Sequence, residues 1–158
     1  TLYEKFILEY YKKHFPEFKV TQSHIPWNID DGMIELLPRM RSDIMIEFKG
    51  KTLIIDAKYY DSAMQKNSRY GNKTIHSHNL YQIFAYVKNK DTKHSGDVSG
   101  MLLYANTDGE NPDKEYLMDG NKISVKTLDL NCDFTEVKRQ LDDIIEAWLI
   151  DISHKSVV

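Results

Sequence analysis

Two strand-like stretches on either side of Lys49-Gly50 constrain the fold of this chain more than any other feature of its sequence. Residues 41–48 and 52–59 are rich in apolar and β-branched side chains and have the length of strands. Glycine readily adopts the positive φ that a two-residue hairpin turn requires. The sequence therefore predicts an antiparallel hairpin in which Ile44 lies opposite Ile55, although a turn of three or four residues would shift this register.

Alternation along the predicted hairpin divides its side chains between two faces. In this register Asp43 lies directly across from Asp56. Like charges at opposed positions destabilise a hairpin unless something compensates for them. A divalent cation would compensate, because Mg²⁺ prefers carboxylate and water oxygens. The aspartate face also carries Met45, Glu47, Thr52, Ile54 and Lys58, whereas the expected core face carries Ile44, Ile46, Phe48, Leu53, Ile55 and Ala57.

Lys58 follows Asp56 by two positions and therefore projects from the same face of its strand. There its ammonium group could orient an attacking water and offset the negative charge that develops on a phosphate. An Asp-x-Lys strand with an aspartate opposite it would thus make a phosphodiester hydrolysis site. A structural alternative fits the same spacing: a solvent-facing salt bridge between Asp56 and Lys58, with Asp43 capping a strand.

The rest of the pattern predicts a mixed α/β fold with a central sheet flanked by helices. A chain of 158 residues is long enough for one domain with one sizeable core. We expect a first helix that begins at Leu2 and is closed by Pro16, and polar residues 60–75 are expected to form a loop. Further helices are predicted at residues 78–89 and 133–150, and further strands within residues 18–37 and at 98–104 and 121–128.

Composition excludes several classes of protein. Cys132 is the single cysteine, which rules out an internal disulfide and a thiolate metal site. No apolar run approaches the roughly 20 residues that cross a bilayer, so we expect a cytoplasmic protein without a membrane contact. Because the helical pattern begins directly after Thr1, we expect a fragment of a longer polypeptide, or one that has lost its initiator methionine.

Charge is distributed unevenly along the chain. The net charge of −3 argues against a protein that coats nucleic acid along its whole surface. Residues 57–94 nevertheless carry seven Lys and Arg against two acids, whereas residues 106–158 carry six basic and twelve acidic residues. This asymmetry favours a local phosphate-facing surface, and a lysine-rich solvated loop is the plain alternative.

Several motifs resemble a known nuclease family. Asp43, followed thirteen positions later by Asp56-Ala57-Lys58, resembles the PD-(D/E)xK nuclease superfamily, and Gln82 with Tyr86 resembles the Q-x-x-x-Y element of one of its branches. The runs LIIDAKYY (53–60), NLYQIFAYVKN (79–89) and GMLLYA (100–105) are similar to McrC, the nuclease subunit of McrBC-type modification-dependent restriction systems. The resemblance extends over about residues 2–150.

This resemblance implies a restriction-endonuclease-like core with a mixed sheet of four to five strands. It implies one nuclease domain over residues 1–158, which we expect to be the C-terminal part of a longer McrC-like subunit. The implied cofactor is Mg²⁺, for which Mn²⁺ could substitute, held by Asp43, Asp56 and the backbone carbonyl of Ala57. The implied partners are double-stranded DNA and a McrB-like GTP-hydrolysing AAA+ subunit, with nuclease domains paired for a double-strand cut. Ser42 departs from the motif, which usually has proline there.

Further candidate residues lie on the helices and in the polar loop. Gln82 and Tyr86 are one helical turn apart and share a face, so Gln82 could bond the metal-site groups while Tyr86 contacts DNA or the core. Glu4 is the candidate acid on the first helix, where the superfamily often places one near the metal. An incidental glutamine and a solvated glutamate are the alternatives. The candidate DNA contacts are Lys66, Arg69, Lys73, His76 and His78.

Three functions are compatible with these residues. The first is a Mg²⁺-dependent endonuclease domain of a methylcytosine-dependent restriction system. The second is a RecB-type repair or recombination nuclease, because such enzymes also have the Gln/Tyr helix. The third is a non-catalytic DNA-binding or assembly module that keeps the nuclease fold.

Overall fold

The predicted hairpin is present at the centre of the molecule. A computed structural model describes residues 1–59, 64–66, 73–106 and 112–155. Strand β4 (Ile44–Phe48) pairs antiparallel with β5 (Lys51–Tyr59), and Ile44 lies opposite Ile55 as predicted. Lys49 and Gly50 have φ values of 50° and 77°, the pair of positive values that a tight two-residue hairpin turn requires.

In the described part of the chain, six strands form one mixed sheet in the order β1-β4-β5-β8-β10-β9. Strands β5, β8 and β10 run parallel to their neighbours in the centre, and the outer strands pair antiparallel. The sheet thus has at least one strand more than the four to five that were expected. Its other members are β1 (Lys19–Thr21), β8 (Val98–Asn106), β9 (Lys114–Met118) and β10 (Asn121–Asp129), and β2 (His24–Ile25) pairs separately with β3 (Met40–Arg41).

Helices cover both faces of this sheet. On the predicted core face, α1 (Leu2–His14) and α3 (Phe134–Lys155) pack against Ile44, Ile55 and their neighbours. On the other face, α2 (Ser77–Lys90) packs against a second apolar cluster. Met45 and Ile54 belong to this second cluster, so the aspartate face is itself a core face rather than an exposed one. A parallel crossover explains this, because the helix between β5 and β8 must lie on the sheet.

Helix α2 is fixed at its C-terminal end by Asp91. This carboxylate accepts hydrogen bonds from the backbone N–H groups of Ser95 and Gly96 and from Asn121 Nδ2. Burial alone would raise the pKa of Asp91, but these bonds lower it to about 2. Close to the helix middle, Gly100 leaves room for α2, since a Cβ atom there would lie 2.6 Å from Val87 Cγ2. The orientation of α2 against the sheet is therefore narrowly set.

Four elements differ from the sequence prediction. The stretch expected to be a polar loop contains a short antiparallel pair, β6 (Met64–Lys66) and β7 (Lys73–Ile75). Strand β9 was not expected, because an exposed edge strand with few apolar side chains leaves little periodic signal. Helix α3 continues five residues past the predicted end at 150. Among the described residues, no helix is long and apolar enough to cross a membrane.

Candidate active site

Asp43 and Asp56 lie side by side near the C-terminal end of β5. Asp43 directly precedes β4, and its Oδ2 accepts a hydrogen bond of 2.9 Å from the backbone N–H of Ala57. Asp56 is only 2% exposed, and its carboxyl group is within hydrogen-bond reach of Asp43. Hairpin register and the alternation of β5 bring the two carboxyl groups together, as the sequence predicted.

Burial and the neighbouring Asp56 raise the pKa of Asp43 to about 7, against the opposing effects of the Ala57 N–H and of Lys58. Two carboxylates in such contact resist simultaneous ionisation. Asp56 Oδ2 is also buried and accepts no hydrogen bond from the described residues. The site thus holds more negative charge than its hydrogen bonds compensate.

Lys58 supplies the nearest positive charge. Its Nζ lies 3.1 Å from Asp56 Oδ2 and donates a hydrogen bond of 2.9 Å to Gln82 Oε1. Gln82 is oriented in turn, because its Nε2 donates to the Tyr86 hydroxyl at 2.9 Å. The salt bridge of the structural alternative is therefore present, but it is not solvent-facing, and it continues into α2 through Gln82 and Tyr86.

Sequence reasoning missed two residues of this site. Tyr104 on β8 is fully buried and is the Cα partner of Lys58 across the parallel strands. Its hydroxyl accepts a hydrogen bond of 3.2 Å from Asn79 Nδ2 on the first turn of α2. Burial and the charge of Asp56 raise the pKa of Tyr104, against the hydrogen bond from Asn79. Two signals could have revealed them: Asn79 precedes Gln82 by three residues, and Tyr104 is the polar member of an apolar run.

Ser42 is buried, and its hydrogen bonds explain why serine stands where the motif usually has proline. Its backbone N–H donates to the Ser23 carbonyl at 2.9 Å, and its hydroxyl contacts the Ser23 backbone at 3.3 Å. Proline has no N–H and could not make the first of these bonds. The residue before Asp43 therefore still fixes the backbone here, by a hydrogen bond instead of a ring.

Glu4 is not brought into contact with the aspartate pair. It belongs to the capping box of α1, in which its side chain and that of Thr1 bond each other's backbone N–H groups. Helix α1 packs on the sheet face opposite to Asp56. Among the described residues, no group of three or more His, Cys, Asp or Glu side chains is suited to a metal, so Glu4 does not complete a set with Asp43 and Asp56.

The candidate DNA contacts lie before α2 or inside it. His76 is half-buried, with its Nδ1 unpaired among the described residues, and His78 is exposed on the first turn of the helix. Lys66 and Lys73 end β6 and begin β7, and their side chains lie outside the described part of the structure. Arg69 also lies outside the described residues. Their contact with DNA stays a prediction.

A mixed sheet with helices on both faces, and with an acidic pair and a lysine at the end of a central strand, defines a mixed α/β domain with a nuclease-like core. The chain belongs to the family of McrBC 5-methylcytosine restriction system components, whose model matches residues 1–105. That segment contains every residue of the site, from Asp43 to Tyr104.

A relative in Escherichia coli strain K12 is similar over most of the chain. It is the type IV methyl-directed restriction enzyme EcoKMcrBC, and it is 32% identical over 151 residues. The match covers 94% of this chain and 42% of the relative's length. The chain therefore spans less than half the length of that relative.

Proposed function

We propose that this chain is the Mg²⁺-dependent endonuclease domain of a methylcytosine-dependent restriction system, of the McrC type and within the PD-(D/E)xK superfamily. One observation carries the proposal: Asp43 and Asp56 are held in contact with each other, and the ammonium group of Lys58 lies beside them. Family membership and a methyl-directed restriction enzyme among its relatives support the same conclusion.

The donor set fits a hard divalent cation. Mg²⁺ is commonly bound by one or two carboxylates, with water and substrate phosphate completing its coordination shell. Asp43 and Asp56 would be the carboxylate ligands, and the Ala57 carbonyl is the proposed third protein ligand. The raised pKa of Asp43 and the burial of Asp56 Oδ2 beside the Lys58 ammonium group are what we expect of two carboxylates suited to a cation. Mn²⁺, which also accepts oxygen ligands, would substitute.

When bound, the cation would act as a Lewis acid toward the phosphate and lower the pKa of water. The residues of the chain have separate tasks. Lys58 orients the attacking water and neutralises charge that develops on the phosphate. Gln82 holds the ammonium group of Lys58 by accepting a hydrogen bond from it, and Tyr86 holds the amide of Gln82. Lys66, Arg69, Lys73, His76 and His78 are proposed to contact the DNA backbone.

In this proposal, the chain works in a larger assembly. We infer a single nuclease domain that forms part of a longer subunit, a GTP-hydrolysing McrB-like partner, and double-stranded DNA as the substrate. A double-strand cut needs two such sites, which favours paired nuclease domains.

A cleavage assay of the assembled restriction complex tests the proposal. Its substrate is a methylated supercoiled circle, which a strictly end-dependent exonuclease of the repair type cannot open. We expect Mg²⁺-dependent linearisation that falls by at least about 100-fold in Asp56→Ala and in Lys58→Ala. Lys51→Ala is the matched control, because Lys51 lies on the same strand but pairs with Asp97 at its other end. Undiminished cleavage by both site variants would contradict the assignment.

A further inference from the structure

A polar contact inside an apolar cluster joins helix α2 to the sheet beside the candidate site. Asn79, 6% exposed, donates its side-chain amide to the hydroxyl of fully buried Tyr104. The surrounding cluster is formed by apolar side chains of α2, β8 and β10, among them Ile83 and Leu102. Burying a hydroxyl and an amide is costly unless each is hydrogen-bonded, so packing alone would be served better by apolar side chains.

The position of this contact relates it to the lysine. Tyr104 is the Cα partner of Lys58 in the parallel pairing of β5 with β8. Asn79 lies three residues before Gln82, on the same side of α2. The Asn79–Tyr104 contact therefore joins α2 to β8, and the adjacent Gln82–Lys58 contact joins α2 to β5. One link lies wholly in the core, and the other reaches the site.

We propose that Asn79 and Tyr104 are positioning residues that hold α2 at the distance from the sheet at which Gln82 contacts Lys58. Their catalytic consequence rests on the proposed nuclease function, whereas their effect on Lys58 does not. The Asp91 bonds fix the C-terminal end of α2, so the movement that these two residues would prevent is a displacement of the first turns of the helix away from the sheet. Loss of the Asn79–Tyr104 bond would allow that movement and release the lysine.

The test compares Tyr104→Phe and Asn79→Ala with Tyr11→Phe. Tyr11 is a matched control, since its ring is also fully buried and its hydroxyl donates to the Leu141 carbonyl in the other core cluster. The first readout needs no activity: competitive amine labelling of the folded chain, read by mass spectrometry. We expect labelling of Lys58 to rise about threefold or more in both site variants, as loss of one hydrogen bond implies. Lys51 is the internal reference.

The second readout is cleavage by the assembled complex. We expect kcat to fall about tenfold or more in Tyr104→Phe while KM stays within about twofold, as for other residues that orient a catalytic group. In a Gln82→Ala background, Tyr104→Phe should reduce kcat by less than about twofold, because both changes break one chain of contacts. If Tyr104 had only a structural role, Tyr104→Phe would reduce kcat by the same factor in the Gln82→Ala background as in the wild-type chain.

The outcomes separate the two claims. If Lys58 labelling in Tyr104→Phe and Asn79→Ala matches that in Tyr11→Phe, the positioning role is overturned. If the wild-type complex does not cleave but the labelling rises as expected, the proposed nuclease function fails while the positioning of Lys58 stands. Should Tyr104→Phe unfold the chain, Asn79→Ser removes the same amide donor with a smaller loss of side-chain volume than alanine, and its Lys58 labelling decides the question.

Discussion

At the scale of single residues, Asp43 has two tasks that conflict. It closes the end of the hairpin by accepting the Ala57 N–H, which favours an ionised carboxylate. It also lies beside buried Asp56, which disfavours ionisation. Its pKa is raised because burial and the second carboxylate outweigh the Ala57 N–H and Lys58. A bound cation would add positive charge beside the pair and so favour the ionised form of both carboxyl groups.

We predict that this conflict makes the metal-free protein less stable as the pH rises. The pKa of Asp43 is about 7 in the folded chain and 3.8 in an unperturbed aspartate. A raised folded-state pKa gives stability that is fully present below the unfolded value and is lost as the pH rises through about 7. Urea unfolding with a chelator present, at pH values between 5 and 9, measures this loss.

The variant Asp43→Asn isolates the effect. Asparagine can still accept the Ala57 N–H but carries no charge. We expect it to remove most of the pH dependence and to raise the free energy of unfolding at pH 9 by on the order of 1 kcal/mol. Cleavage should be lost in the same variant. An unchanged pH profile in Asp43→Asn would show that another group causes the dependence.

At the scale of elements, the site is made where the β4–β5 hairpin meets α2. The hairpin supplies Asp43, Asp56 and Lys58, and the helix supplies Gln82. Neither element positions the lysine alone. The distance between α2 and the sheet depends on β8, because Gly100 has no side chain and lets the helix approach closely.

We predict that Gly100→Ala displaces α2. The added methyl would lie 2.6 Å from Val87 Cγ2 and 2.8 Å from Ile83 Cγ1, and both atoms belong to branched side chains packed in the core. Such overpacking typically costs about 1–3 kcal/mol. Because Gln82 adjoins Ile83, we also expect slower cleavage at temperatures where the variant is fully folded. Urea unfolding and single-turnover cleavage measure the two effects.

Gly50→Ala is the control for that prediction. Gly50 has a φ of 77° and open space around its Cα, so alanine there strains the turn without touching α2. A comparable loss of stability with unchanged cleavage is expected. Equal cleavage by Gly100→Ala and Gly50→Ala would mean that α2 tolerates displacement.

At the scale of the whole molecule, the acidic pair is enclosed by a sheet with helices on both faces. A cation that binds only the folded chain must therefore stabilise the whole fold. For a dissociation constant of about 1 mM, 10 mM Mg²⁺ would add about 1.4 kcal/mol, or roughly 4 °C in Tm for a chain of this size. Thermal unfolding at pH 8 and constant ionic strength measures the shift.

The double variant Asp43→Asn/Asp56→Asn provides the comparison for that shift. It removes both proposed ligands while keeping side-chain volume. We expect its Tm to be independent of Mg²⁺. A shift as large as that of the wild-type chain would place the cation elsewhere in the molecule.

The hairpin and the acidic pair follow from local features of the sequence. Lys49-Gly50 and the alternation around them predicted the register that the structure has, because one slip would exchange the two faces of β4 and β5. The helices were equally predictable, since their apolar side chains recur at helical spacing. These are local constraints, and each acts between residues that are close along the chain.

The surroundings of the acidic pair depend instead on contacts between distant parts of the chain. The packing of distant elements buries the aspartate face and places Tyr104 beside Lys58. It also places Glu4 on a helix that packs against the other face of the sheet. The parallel crossover through α2 brings residues 79, 82 and 104 to a site built from residues 43–58. Contacts between parallel strands and a crossover helix are non-local, so the periodicity of any one segment does not encode them.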